Sequence, residues 1–216
     1  MMFSFLKKNR IPIPQRGLDE IRSICKIVFV DDKSFPITDI LKRSNWANIT
    51  RLQDVDSLNQ QEIREAHILF IDIQGVGKKL KLKDEGLGLI VALKKKYPNK
   101  RVIAYSAEDQ GQVQAFHEGI NIADSRLSKN AATYQFEFLV EKYAKEAFSL
   151  QECIGRIEEY LIKEIGNSPS SSEIIDKIKK LNTGKNIDSI KVSKLFNIQN
   201  GANLANIIQL FLTASA

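Results

Sequence analysis

The run His67-Ile68-Leu69-Phe70-Ile71-Asp72 constrains this chain most. Four apolar residues lead straight into a carboxylate, and Gln74-Gly75-Val76-Gly77 lies just beyond. A short continuous apolar run bounded by turn residues reads as a strand buried on both faces. Such strands belong to parallel sheets, where ligands bind outside the carboxyl ends of the strands. Asp72 therefore stands where chemistry would be. Taken alone it also fits a simple loop cap, so the ends of the other strands decide.

Those strands follow from the same pattern. Lys26–Val30 is a second buried strand, ending in Asp31-Asp32, and Asn48–Leu52 a short one. Arg101–Tyr105 is a fourth, ending in Ser106-Ala107, and Ile122–Leu127 a weaker fifth, ending at Ser128-Lys129. Between them, helices are expected from Pro36 to about Ser44, over Ser57–Glu65, through Leu87, Ile90, Val91 and Leu93 to before Pro98, and over Gln110–Glu118, closed by Gly119. Lys78–Glu85 reads as a loop with four lysines. Strands alternating with helices at this spacing predict an α/β fold, a five-stranded parallel sheet with helices on both faces.

Four of the five strand ends carry polar chemistry: Asp31-Asp32, Asp72, Ser106 and Lys129. Three carboxylates brought together repel, so such a site needs a cation. Mg²⁺ suits it, being a hard ion that takes oxygen ligands and keeps some waters. A lysine and a hydroxyl beside it can hold the oxygens of a phosphoryl group. Any one of these residues is ordinary as a turn or strand end; their joint placement is not.

With Val30-Asp31-Asp32, Phe70-Ile71-Asp72, Tyr105-Ser106-Ala107 and Ser128-Lys129 in view, residues 26–147 resemble the receiver domain of bacterial response regulators. The resemblance implies a flavodoxin-like sheet of order 2-1-3-4-5 and a place in two-component phosphorelay signalling. It implies that Asp72 accepts a phosphoryl group from a histidine kinase or phosphotransfer protein. Asp31, Asp32, Asp72 and the main-chain carbonyl of Gln74 would hold Mg²⁺. Lys129 would pair with the phosphoryl group, and Ser106 would swing to hydrogen-bond it. The chain departs from the family at four places: Val76 and Asn130 stand where proline is usual, Arg126 replaces the switch aromatic, and the loop after Asp72 is longer and lysine-rich. An unphosphorylated pseudo-receiver adaptor is the alternative. Phe70-Ile71-Asp72-Ile73-Gln74-Gly75-Val76 is also similar to the nucleophile motif of haloacid-dehalogenase-type phosphatases. Their second aspartate is Gln74 here, and the acidic pair comes first in the chain, so a non-enzymatic role is expected.

Composition supports an ordinary globular chain of 216 residues, 43% apolar. No run approaches the ~20 apolar residues of a membrane span. The opening Met1-Met2-Phe3-Ser4-Phe5-Leu6 is too short for a span and lacks a cleavage site. Cys25 and Cys153 form no CxxC pair, which suits free thiols in a cytoplasm. The net charge of +6 is spread along the chain. His67 and His117 lack partners at metal-ligand spacing and read as structural, and Trp46 reads as core.

Four segments are expected: an arm over 1–25, the receiver-like domain over 26–147, a helical extension or linker over 148–168, and a small all-α output or adaptor module over 169–216. Phe136, Tyr143, Leu150 and Ile157 are spaced by seven, as are Val140, Ala147, Ile154 and Leu161. That heptad seam predicts one helix across 131–165 and a homodimer through it, with fold-back of the C-terminal helices as the competing cover. Ser170 and Glu173 fit a capping box, Asp188 a cap for a helix to Phe196, and Ala202–Leu212 a last helix. Val192–Leu212 has the outline of a helix-turn-helix. Residues 195–216 carry no charge, whereas DNA binding relies on Lys and Arg reaching phosphates. Nucleic acid is therefore not expected, and the output is read as a contact with a protein.

Overall fold

The computed structural model describes residue 13 and residues 15–107, 117–181 and 187–212. The chain divides into two compact units, one spanning Gly17–Ala147, the other Phe148–Ala216 together with the segment that ends at Arg16.

In the first unit, α1 (Leu18–Ile24) leads into β1 (Lys26–Val30), and α2 (Ile37–Arg43) into β2 (Asn48–Leu52). Then come α3 (Gln61–Glu65), β3 (Ile68–Asp72), α4 (Glu85–Lys96), β4 (Arg101–Ser106), α5 (Glu118–Ile122), β5 (Ser125–Ser128) and α6 (Thr133–Ala147). The five strands pair in parallel in the order β2-β1-β3-β4-β5, the flavodoxin-like order.

The central strands alternate between two apolar layers, as strand geometry requires. Val28, Val30, Leu69, Ile71, Val102 and Ala104 join Ile63, Leu89, Ile90 and Leu93 on one face. The intervening Ile27, Phe29, Ile68, Phe70, Ile103 and Tyr105 are equally buried. Phe29 stacks on Phe70 at 4.5 Å, and Phe136 of α6 lies 6.1 Å from Phe70. Trp46 is buried just after α2, with Arg22 over its ring at 5.8 Å. Asp54 anchors the long loop after β3, accepting from the N–H groups of Gly77 (2.5 Å) and Lys79 (2.9 Å).

Several boundaries differ from expectation, each for a local reason. The helix expected over Ser57–Glu65 is one turn, because Gln60 Oε1 takes the N–H groups of Asp56 and Ser57 into a tight turn first. The fifth strand begins at Ser125, not Ile122. Residues 118–122 are helical, capped by His117 Nδ1 on Gly119 N, and Asp124 is pinned to Val102 and Lys94. Of the helix expected over Gln110–Glu118, residues 110–116 lie outside the described residues.

The single helix expected across 131–165 is two. Helix α6 ends at Ala147, and α7 (Leu150–Ile165) starts afresh at Ser149, whose extended backbone and side chain cap Glu152 N. Serine favours this capping geometry over a helix interior. Leu150–Ile165 is therefore not a connecting extension but part of the second unit, with α8 (Ser171–Lys180), α9 (Ser189–Phe196) and α10 (Ala202–Phe211). Its seam of Ile154, Ile157 and Leu161 is buried against Ile174, Ile178, Val192, Phe196, Leu204 and Ile208. The fold-back thus covers the apolar face on which the homodimer through 131–165 was argued. Asn197, in the left-handed region at φ 54°, ends α9 before α10 begins. Residues at the end of the N-terminal segment belong to this unit as well. Arg16 donates to the carbonyls of Leu210 and Gln209, and Gln15 bridges to Leu212. Among the described residues, no helix is long and apolar enough to cross a membrane.

Candidate functional site

The strand order brings the polar strand ends to one edge of the sheet. Asp31 and Asp32 follow the last residue of β1, Asp72 closes β3, Ser106 closes β4 and Lys129 follows β5. One oxygen from each of Asp31, Asp32 and Asp72 lies within 4.8 Å of the other two. Asp31 and Asp72 are buried, while Asp32 is exposed.

Lys129 Nζ bridges the two buried carboxylates, 2.6 Å from Asp72 Oδ2 and 2.8 Å from Asp31 Oδ2. Its backbone N–H donates to Ser106 O at 2.7 Å, so the last turn of β4 fixes where the lysine starts. Ser106 itself is buried. The Asp72 carboxylate also accepts from Gln74 N at 3.3 Å. A cavity of about 210 Å³ opens over the group, lined among others by Asp32, Asp72, Lys129, Phe35, Gly75 and Ala107.

The electrostatics separate the two buried acids. Burial pushes the Asp72 carboxyl above its ordinary range, and the Lys129 ammonium only partly reverses this. Burial also acts upward on Asp31, but hydrogen bonds from Lys129, Lys33 N and Tyr105 more than offset it, and its carboxyl is held low. Burial would lower Lys129, yet the two carboxylates win and raise it. Asp31 and Lys129 are thus both held toward their charged forms, Asp72 is pushed by burial toward its neutral one, and Asp32 adds a third carboxyl group to the cluster.

This donor set fits a hard divalent cation. Asp31, Asp32 and Asp72 converge on one point, and one lysine cannot neutralise three carboxylates. The Gln74 carbonyl, expected to join them, belongs to a residue that lines the same cavity. Two glycines make the approach: Gly75 has φ +80°, and a Cβ there would stand 2.6 Å from Asp32 Oδ2. At Gly86 a Cβ would fall 1.8 Å from the Asp72 carbonyl oxygen, so α4 starts against the backbone that carries the acid.

The sequence reading named Asp31, Asp32, Asp72, Ser106 and Lys129, and all five stand at this edge. It gave no role to Tyr105, whose hydroxyl donates to Asp31 Oδ2 at 2.8 Å, nor to Phe35 beside Lys129. The signal for Tyr105 is a tyrosine closing the apolar run Val102–Ala104 in a buried strand, because a buried hydroxyl needs a partner. Both histidines are structural. His67 Nδ1 accepts from Lys26 N, and His117 caps α5.

No protein-family model and no curated protein matches the chain. The solved structures that resemble it include response regulators. One from Thermotoga maritima aligns at 17% identity and a TM-score of 0.42, over 56% of this chain and 98% of its own. NtrX from Brucella abortus in complex with ATP aligns at 19% and 0.48, over 76% and 36%. RcsB from Salmonella enterica serovar Typhimurium, bound to promoter rprA with phosphomimetic BeF3-, aligns at 18% and 0.45, over 86% and 98%. Likenesses of this size carry no functional argument, which rests on the side chains themselves.

Proposed function

We propose that the first unit is a receiver of two-component signalling and that Asp72 is its phosphoacceptor. The observation that carries this is the bridge of Lys129 between Asp72 and Asp31, with Asp32 adjoining, at the carboxyl edge of a 2-1-3-4-5 sheet. A carboxylate oxygen of Asp72 forms a bond to the phosphorus of a phosphohistidine on a kinase or phosphotransfer protein. The phosphorus–nitrogen bond breaks, and its electron pair leaves on the imidazole. Asp31, Asp32, Asp72 and the Gln74 carbonyl would hold Mg²⁺, whose charge would offset that of the carboxylates and of the phosphoryl oxygens. Lys129 turns its ammonium from the bare carboxylate to the acyl phosphate.

Ser106 lies one residue beyond Tyr105, the partner of Asp72 in the β3–β4 register, and it swings to hydrogen-bond the phosphoryl oxygen. Arg126, at the usual switch-aromatic position, donates to Ile120 O and Asn121 Oδ1 near the end of α5. A phosphorylation signal in β4 and β5 therefore reaches α5 through this guanidinium rather than through a turning ring. The output is a protein contact of the second unit, in a cytoplasmic protein. The test is incubation with acetyl phosphate and Mg²⁺ followed by intact mass. One phosphoryl adduct in the wild type and none in Asp72→Asn is expected. No adduct with acetyl phosphate or with a histidine kinase would leave the pseudo-receiver reading.

A further inference from the structure

Tyr105 is the buried polar group at this edge that the phosphoacceptor chemistry does not use. Its ring is wedged among three others, edge-on to Phe29 at 6.0 Å and to Phe70 at 6.1 Å, and stacked on Phe35 at 5.8 Å. The same ring lies 5.1 Å from Lys129 Nζ. So held, the ring has one direction for its hydroxyl, and there it meets Asp31 Oδ2 at 2.8 Å.

The effect on Asp31 follows from counting acceptor positions. A carboxylate offers about four lone-pair sites, two on each oxygen. On Oδ2 both are taken, by Tyr105 and by Lys129. On Oδ1 one is taken, by Lys33 N at 2.9 Å. One site on Oδ1 is left, in a fixed direction, on a fully buried carboxylate. We infer that Tyr105 is a positioning residue for the divalent-cation site: its hydroxyl locks the Asp31 carboxylate so that a single oxygen faces the ion or its water, while its ring seats Lys129. This rests on the reading of the three aspartates as a cation site. Without the hydroxyl, Oδ2 regains a site, the carboxylate can rotate, and Lys129 can shift onto it. Loss of such an outer partner weakens metal binding by about 10–100-fold.

The experiment is Mg²⁺ titration calorimetry on the full chain, with near-ultraviolet difference spectra recorded in parallel. The variants are Tyr105→Phe and, as a control, Tyr143→Phe, which loses a comparable hydroxyl bond to Asp124 O away from the site. An ion arriving on Asp31 changes the acceptor of the Tyr105 hydroxyl and shifts the tyrosine band. About tenfold weaker binding is expected in Tyr105→Phe and unchanged binding in Tyr143→Phe. The Mg²⁺-induced tyrosine band should persist in the control and vanish in Tyr105→Phe. A folded Tyr105→Phe that binds like the wild type overturns the role of Tyr105 and leaves the cation site standing. A wild type that takes up no Mg²⁺ overturns the cation site, and the inference with it. Should Tyr105→Phe fail to fold, the difference band decides. Its presence in both the wild type and Tyr143→Phe supports the inference, and its absence from the wild type overturns it.

Discussion

Replacing Lys129 with alanine removes the cation that two buried carboxylates share. The side chains are 13% exposed for Lys129, 1% for Asp31 and 7% for Asp72, so solvent screens them little. At an effective dielectric of about 20, each contact is worth about 6 kcal/mol of Coulomb energy. Desolvation of the three groups takes back most of it, and removing one partner of a buried pair costs about 3–5 kcal/mol net. At roughly 3 °C per kcal/mol, Lys129→Ala should melt about 10 °C below the wild type in chelator at neutral pH. The pH dependence has a definite sign. Asp72 has a folded pKa above its ordinary value, because burial outweighs the lysine, and losing the lysine raises it further. A carboxyl of raised pKa destabilises the fold above that pKa and is harmless below its unfolded value. The deficit of Lys129→Ala should therefore shrink on acidification toward the unfolded carboxyl range. Added Mg²⁺, binding only the native state, should restore part of it. The assay is a series of melts across pH, with chelator and with Mg²⁺. A variant melting within about 1 °C of the wild type in chelator at neutral pH would refute the reasoning. A deficit constant with pH would assign the loss to the lysine stem against Phe35 and Tyr105 instead.

Gly86→Ala should cost about 3 kcal/mol or more and abolish the Mg²⁺ response, since its Cβ meets the Asp72 carbonyl and overpacking against backbone cannot relax; urea unfolding with and without Mg²⁺ measures both. Asp54 is held below its ordinary pKa: burial acts upward, but N–H groups led by those of Lys79 and Gly77 prevail. Its stabilisation is present above the unfolded pKa and lost as pH falls through the folded one. Asp54→Asn should thus cost about 1–2 kcal/mol at neutral pH and less in acid, read from urea midpoints across pH. Ile157→Glu should unfold the second unit, by loss of helical circular dichroism and gain of protease cleavage, because it buries an unpaired charge. Intact helices with only a change in solution mass would return the seam to an interface between copies.

The sheet was legible because β1, β3 and β4 are buried on both faces and so read as apolar runs stopped by polar residues. Asp31, Asp32, Asp72, Ser106 and Lys129 were legible because the strands that carry them end there. The break at Ser149 was not, since the seven-residue spacing of Phe136 through Leu161 continues across the cap while α6 and α7 serve different cores. The length of α3 and the start of β5 were misjudged because Gln60 ties up the chain before α3 and His117 caps a helix over residues 118–122, side-chain bonds to the backbone that periodicity does not register. Tyr105 was missed because its partner Asp31 lies 74 residues away, joined only by the pairing of β1 and β4 to β3.

The most direct measurement places the phosphoryl group on a single atom set. Borohydride reduces an aspartyl phosphate to homoserine and spares a free carboxylate. The wild type, treated with acetyl phosphate and Mg²⁺, reduced, digested and sequenced by mass spectrometry, should carry homoserine at position 72, with Asp31 and Asp32 intact. Aspartate unchanged at position 72 in protein that carries the adduct, or homoserine at 31 or 32, would contradict the assignment of Asp72 as acceptor.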